Sequence, residues 1–153
     1  MSRRHGLPAV LAGLGLACGA ALAVPAASAA APAAAEAPVR VVYHFDQATS
    51  ADRGLRNIQN HLKADPTTQV VVVSNGPGID FMLADAKDSK GEPYELRILE
   101  LQQQGVKFEV CNNTMVGRGF KPEQLVEGVT VVKAGVEEVA RLQFRLGYAY
   151  IKP

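Results

Sequence analysis

The chain has 153 residues, of which 48% are hydrophobic and 20% are charged, and its formal net charge is +1. A charge so close to zero excludes a broad basic surface of the kind that attracts nucleic acid or anionic lipid. Its two cysteines and three histidines show no clustered spacing, and the G-x-G-x-x-G, Walker and Gly-x-Ser-x-Gly patterns are missing, so we expect neither a metal site nor a cofactor.

The first residues are organised as a signal peptide. Arg3 and Arg4 give a positive start, an apolar run covers residues 7–24, and an Ala-Ser-Ala motif ending at Ala29 supplies the small residues that a signal peptidase requires. We therefore predict a signal peptide over residues 1–29 and a periplasmic mature protein. The arginine pair fits a twin-arginine signal as well as a Sec signal, so the export route stays open. A transmembrane anchor is the alternative, but glycines and a proline interrupt the apolar run.

A low-complexity Ala/Pro-rich segment follows over residues 30–38, and we predict a flexible linker because nothing in it could build a core. Residues 39–153 are then enough for one domain with a single core. With 14 basic and 15 acidic residues, the mature chain has a net charge of −1. It retains one cysteine, Cys111, since Cys18 falls in the signal peptide. An unpaired thiol in an oxidising compartment needs an explanation.

Apolar runs alternate with helical patterns along the domain. The runs are rich in valine with little polar alternation, which is typical of strands buried on both faces. Strands interleaved with helices indicate βαβ units, so we predict an α/β fold with three layers, α/β/α, around a mostly parallel sheet of about five strands. The predicted strands cover residues 39–45, 70–73, 106–110, 129–132 and 148–151, and predicted helices begin near residues 50, 79, 94 and 136.

Ligands of open parallel sheets bind beyond the carboxyl ends of the strands. If the first three predicted strands are neighbours, the residues that follow them share one crevice. Strand order is a matter of topology that the sequence does not state. The residues selected in this way are His44 and Asp46 after the first strand, Asn75, Gly76, Pro77 and Gly78 after the second, and Cys111, Asn112, Asn113 and Thr114 after the third.

Cys111 is the candidate nucleophile of this crevice. Asn112, Asn113 or Thr114 could cap a short helix there, and the free N–H groups of a helix start stabilise a thiolate and lower the pKa of the thiol. Arg118 would add a cation if the segment folds back by one or two turns. A second interpretation stays open, because free cysteines are often small core residues.

His44 and the segment from Asn75 to Gly78 also have two interpretations each. His44 either relays a proton to or from Cys111 or only hydrogen-bonds a loop at the strand end, and the pattern favours the structural role. The Asn-Gly-Pro-Gly segment either offers backbone amides to an anion or a persulfide, or is a plain tight turn.

Residues 39–153 resemble the DsrE family of small sulfur-relay proteins. The most specific similarity is the cysteine followed by Arg118 and Gly119. The resemblance implies a doubly wound parallel sheet, assembly into oligomers and, in the relay members, a cysteine that accepts a sulfane sulfur as a persulfide; Cys111 matches that cysteine. The similar stretches are YHFD at residues 43–46, VVVSNGPG at 71–78, GVKFEVCNN at 105–113, ARLQ at 140–143 and GYAY at 147–150.

Three functions follow as expectations. The first, which we favour, is an exported sulfur carrier or sulfurtransferase that uses Cys111, with His44 as a proton relay. The second is a non-catalytic oligomeric module that binds or assembles through this fold. The third is a redox sensor that forms an intermolecular disulfide. We expect a homo-oligomer with sulfur donor and acceptor proteins or small thiols as partners, and neither nucleic acid nor, after signal cleavage, a membrane.

Overall fold

A computed structural model describes residues 37–153. The predicted signal peptide and nearly all of the predicted linker lie outside the described residues and stay predictions. No helix within residues 37–153 is long and apolar enough to cross a membrane. The described part contains the strands β1 (Arg40–Phe45), β2 (Gln69–Ser74), β3 (Lys107–Cys111), β4 (Thr130–Val132) and β5 (Ala149–Ile151), the helices α1 (Ala51–Ala64), α2 (Tyr94–Gln103), α3 (Asn112–Arg118) and α4 (Gly135–Leu146), and 3-10 helices at Ala48–Ser50, Gly76–Met82 and Pro122–Gln124.

These five strands form one sheet in the order β4-β3-β2-β1-β5, and every pairing among them is parallel. The predicted α/β fold is therefore confirmed. β1, β2 and β3 are neighbours, as a shared crevice requires. The register sets Phe45 beside Ser74 and Ser74 beside Val110, so the carboxyl ends of the three strands lie level.

Two cores cover the two faces of the sheet. The chain passes from β1 to β4 in one direction and then returns across the sheet to place β5 beside β1. Right-handed crossovers place the helices of forward and return connections on opposite faces, which explains why α4 is the one helix on the second face within residues 37–153. The first face packs residues such as Leu55 of α1, Ile98 of α2 and Phe108 of β3, whereas Val42, Val71 and Val73 meet Val139 and Leu142 of α4.

Two local boundaries differ from the predictions, and both affect the site. β3 continues through Cys111, which pairs with Val132 of β4, so Cys111 itself holds the N-cap position of α3. Asn112, Asn113 and Thr114 lie inside that helix rather than before it. The Asn-Gly-Pro-Gly segment, for which a tight turn was one of two interpretations, leads into the 3-10 helix Gly76–Met82, which begins three residues earlier than predicted.

Gly78 is required by the packing of this 3-10 helix on β1. A Cβ atom at Gly78 would lie 2.2 Å from the carbonyl oxygen of Phe45, far inside van der Waals contact. Its absence allows the backbone after β2 to approach the backbone after β1 directly. We call residues 75–78 the glycine loop.

Candidate functional site

Cys111 lies where the connections of two adjacent strands diverge to opposite faces of the sheet. β3 leads into α3, whose Met115 joins the first core, whereas β4 leads into α4 on the second face. Open parallel sheets bind ligands at such switch points. The side chain of Cys111 is 6% exposed and forms no disulfide.

The start of α4 covers Cys111 closely. A Cβ atom built on Gly135 would lie 3.1 Å from the Cβ of Cys111 and 3.3 Å from the Cβ of Asn75. Both distances are shorter than an ordinary van der Waals contact, so a side chain at this position would push Cys111 and Asn75 away by a few tenths of an ångström, and glycine avoids this. Because both Cβ atoms flank the same point, Asn75 and Cys111 are immediate neighbours across the edge of the sheet.

Opposing effects set the pKa of Cys111. Burial acts to raise it, because a low-dielectric surrounding disfavours the thiolate. The backbone N–H groups of Gly135, Thr114 and Asn113, together with the hydroxyl of Thr114, stabilise the thiolate and prevail, so the pKa of Cys111 is lowered from its ordinary value. These groups belong to the starts of two helices, α3 and α4. The thiol is therefore buried and yet activated.

Thr114 connects the thiol to the glycine loop. The N–H of Gly76 donates to Oγ1 of Thr114 at 2.9 Å, which leaves the hydroxyl hydrogen of Thr114 available to Cys111. One side chain thus accepts from the loop and donates to the sulfur. The position of Gly76 and the charge state of the thiol are coupled through this hydroxyl.

Arg118 is bound to the segment that begins with the glycine loop. Its Nη1 donates to the carbonyl oxygen of Gly76 at 3.2 Å and to Oδ1 of Asp80 at 2.5 Å. Asp80 balances the charge of the guanidinium, and the groups that lower the pKa of Cys111 are N–H and hydroxyl groups rather than this cation. Arg118 therefore holds the glycine loop in place and does not act as the cation that was expected beside the thiol.

His44 is engaged on both ring nitrogens. Nδ1 lies 2.9 Å from the hydroxyl of Tyr150, and Nε2 lies 2.8 Å from Oδ1 of Asn75. Since both nitrogens are engaged elsewhere, His44 makes no direct hydrogen bond to the thiol of Cys111. This arrangement fits the structural role that the sequence favoured, and any part of His44 in proton transfer stays a prediction.

The remaining predicted site residues have different surroundings. The side chains of Asn112 and Asn113 are exposed on the first turn of α3, and Gly78 is buried against β1. Sequence reasoning missed Gly135 and Tyr150 as site residues, and it named Thr114 only as a possible helix cap after the third strand. A glycine at the start of a predicted helix was a usable signal for Gly135, whereas Tyr150 lies too far along the chain from His44 for any local pattern.

On the face of β3 that carries Cys111, the carboxyl group of Glu109 lies near that of Glu138 on α4. Glu109 precedes Cys111 by two residues and so points toward α4, where Glu138 is buried and bonded to Arg141. Burial, and then the charge of Glu138, raise the pKa of Glu109 to about 7, although Arg141 and Lys107 oppose the rise. Oε2 of Glu109 is buried without a hydrogen-bond partner. Within residues 37–153, His, Cys, Asp and Glu form no group of three able to hold a metal ion.

Comparison with known proteins agrees with this architecture. The chain is 32% identical to the protein of unknown function MTH1491 from Methanobacterium thermoautotrophicum, with a TM-score of 0.67 over 75% of this chain and 99% of that one. The ychN protein from E. coli has the same fold, with a TM-score of 0.60 at 18% identity over 76% and 98% of the two chains. No curated protein matches the chain. Residues 26–153 match the model of the DsrE/DsrF-like family, and the chain therefore belongs to this family, which is generally related to sulfur relay.

Proposed function

We propose that this protein is an exported sulfur carrier that accepts a sulfane sulfur on Cys111 as a persulfide and passes it to an acceptor thiol. The observation that carries the proposal is a single thiol with a lowered pKa at the switch point of the sheet. Burial alone would raise the pKa of a core cysteine, so the lowering by the N–H groups of two helix starts supports a nucleophilic role for Cys111. Export rests on the signal-peptide pattern of residues 1–29.

The transfer needs no cofactor and no net oxidation. The Cys111 thiolate attacks the outer sulfur of a donor R–S–SH, the S–S bond of the donor breaks, R–S⁻ leaves, and Cys111 carries S–SH. An acceptor thiolate then attacks that outer sulfur, the S–S bond on Cys111 breaks, and the Cys111 thiolate is restored with the acceptor now a persulfide. The N–H groups around the sulfur assist both steps, since Cys111 is the nucleophile of the first and the leaving group of the second.

The burial of the thiol favours small donors. Because Cys111 is covered by Gly135 and is nearly inaccessible, we expect thiosulfate or polysulfide to reach it more readily than a folded donor protein does. With thiosulfate, the thiolate attacks the sulfane sulfur and sulfite leaves, so the persulfide forms without another reactant. A donor protein would require the start of α4 to move.

Intact-mass measurement tests the proposal. The mature protein is incubated with thiosulfate or with polysulfide, and we expect a mass increment of one sulfur atom that a reducing thiol removes. Cys111→Ser should abolish the increment. Val116→Ala is a matched control, because Val116 is exposed on α3, and it should load sulfur normally. The absence of any increment with every donor would contradict the proposal.

A binding or assembly module is a second candidate, and exposed apolar residues on α4 favour it. Val136 is 65% exposed and Phe144 is 92% exposed, eight residues apart on one helix face, with the exposed Ala140 between them. Such a stripe suits a contact between copies of the chain, and we propose a homo-oligomer on this basis. In a pure assembly module, Cys111→Ser would leave the biological role intact while a charge at Phe144 would abolish it.

A further inference from the structure

The first turn of α4 lies over Glu109 as well as over Cys111. Because side chains alternate along a strand, these two residues of β3 point to the same face, and α4 packs on that face. As the crossover between the parallel strands β4 and β5, α4 runs back along the sheet from Gly135. Three residues of helix span about 4.5 Å and two residues of strand about 6.6 Å. Glu138, one turn after Gly135, therefore lies near Glu109.

The two carboxyl groups are buried in different states of hydrogen bonding. Glu138 is 7% exposed, and Nε and Nη2 of Arg141 donate to its two oxygens. Oε2 of Glu109 is buried and has no hydrogen-bond partner. A protonated Glu109 is a neutral group under the helix, whereas an ionised Glu109 places a second negative charge beside Glu138.

The other groups around Glu109 do not cancel this repulsion. Its neighbours on the adjoining strands carry no charge; they are Val73 of β2 and Thr130 of β4. Arg141 on α4 and Lys107 on β3 favour the ionised form of Glu109. Burial and the charge of Glu138 oppose them and prevail, so the pKa of Glu109 is raised to about 7.

We propose that Glu109 and Glu138 form a pH-dependent latch on the thiol site: ionisation of Glu109 displaces the start of α4 and opens Cys111 to larger reactants. The thiol is 6% exposed and Gly135 covers it, so a larger reactant reaches it only when this helix start moves. That movement separates the two carboxyl groups and lets water solvate Glu109. The use of the opening in sulfur transfer rests on the proposed function, whereas the opening itself does not.

The range of pH follows from how tightly each state binds the proton of Glu109. In the closed state its pKa is about 7, and in the open state water brings it back toward 4.5. The closed state therefore binds the proton more tightly and is favoured at low pH. Opening should be rarest below pH 4.5, become more frequent as the pH rises, and level off above about 7.

The test compares two maleimides of different size on the mature protein. N-ethylmaleimide and pyrenylmaleimide share one reactive group and both require the thiolate, so the ratio of their rates cancels the thiolate fraction and reports access to Cys111. Between pH values of about 5.5 and 8, we expect the ratio of the larger to the smaller reagent to rise about three- to tenfold in the wild type. In Glu109→Gln, whose amide stays neutral, the ratio should remain at its low-pH value.

Glu137→Gln is the matched control, because Glu137 is an exposed carboxyl on the same turn of α4. The rise with pH should persist in this variant, and its loss would contradict a specific role of Glu109. Amide hydrogen exchange over residues 135–139, divided by the intrinsic rate at each pH, gives a second measurement. It should be faster in the wild type than in Glu109→Gln at a pH of about 8, above the titration of Glu109.

A flat ratio in the wild type, an equal rise in Glu109→Gln, or equal exchange in the two proteins would overturn the inference. These outcomes are separate from those for sulfur loading. A rising ratio in a protein that never loads sulfur would support the latch and contradict the proposed function. Normal sulfur loading with a flat ratio would do the reverse.

Discussion

The backbone N–H of Gly135, the first residue of α4, stabilises the thiolate of Cys111 at the end of β3. Cys111 ends a strand of the sheet, whereas Gly135 begins the helix that covers the second face, and the two residues approach closely because Gly135 has no side chain. The pKa of Cys111 therefore depends on the position of the first residue of α4.

Gly135→Ala tests this dependence. The added methyl group would press on Cys111 and Asn75 and lift the start of α4, so the pKa of Cys111 should rise and alkylation at neutral pH should slow about three- to tenfold. The advantage of alanine over glycine, about 1 kcal/mol in a helix interior, is smaller at the first residue of a helix, so we expect a small net loss in the free energy of unfolding.

Gly117→Ala is the matched control, since a Cβ atom there meets nothing within 4 Å. It should leave the alkylation profile of Cys111 unchanged, as measured with iodoacetamide between pH 5 and about 9, a range that spans the titration of ordinary and activated thiols. If both alanine variants behave alike, the start of α4 does not control the thiol.

Thr114→Val should weaken both the site and the fold. The variant loses the acceptor for the N–H of Gly76 and the donor to the thiolate, so we expect a higher pKa of Cys111 and a loss of about 1–2 kcal/mol in the free energy of unfolding. Denaturant titration and the alkylation profile measure the two effects. Thr114→Ser keeps the hydroxyl and should retain most of both; a serine variant as impaired as the valine variant would argue against the hydrogen-bond explanation.

Glu109 makes stability depend on pH. Its pKa is raised from 4.5 to about 7 in the folded protein, so the folded state binds the proton more tightly than the unfolded state does. The contribution of this group to the free energy of unfolding is therefore full below pH 4.5 and declines as the pH rises to about 7. Above that pH, an ionised Glu109 lies beside Glu138 in a partly buried site.

Glu109→Gln removes the free-energy cost of ionising a partly buried carboxyl group beside Glu138. Allowing for partial exposure, we expect the variant to be more stable than the wild type by about 1–2 kcal/mol at pH 8, and not more stable at pH 4. Thermal unfolding at the two pH values gives the comparison. Glu127→Gln, at an exposed position, should show no such pH-dependent gain. Equal effects of the two substitutions at pH 8 would show that Glu109 is already ionised without cost.

The predicted export can be tested by determining the first residue of the mature protein. If residues 1–29 are a signal peptide, the periplasmic fraction should contain a protein that begins near Ala30. Replacing both Arg3 and Arg4 by lysine should block a twin-arginine route but leave a Sec route nearly unaffected, since Sec requires only positive charge. Recovery of the full-length chain in the cytoplasm would contradict the predicted signal peptide.

The sequence predicted the strands well because they are short runs of β-branched and aromatic residues, and the continuous valines of residues 70–73 suit a strand covered on both faces. The order of the strands could not be predicted from the sequence, since the position of β5 beside β1 depends on the return of α4 across the sheet. The end of β3 was misplaced by one residue, because the pairing of Cys111 with Val132 extends the strand into what looked like a polar turn.

The candidate site was also predicted only in part, since local features of the sequence indicate some of its residues and not others. Cys111, Asn75 and Gly76 were predicted from their places directly after strands, a local feature. Gly135 and Tyr150 were missed because they join the site through contacts with residues far away in the chain; Tyr150 and His44, for example, are 106 positions apart. Arg118 was expected to act on the thiol, but Asp80 competes for the guanidinium at a distance that no spacing rule reveals.

The most direct test of the central claim is to locate a transferred sulfur. The mature protein is loaded with thiosulfate or polysulfide, alkylated to trap any persulfide, digested and analysed by mass spectrometry, with a second sample exposed to an acceptor thiol before alkylation. We predict an alkylated persulfide on Cys111 in the first sample, its loss in the second, and a matching amount of sulfur on the acceptor. An unmodified Cys111, or a persulfide that no acceptor can remove, would contradict a role as sulfur carrier.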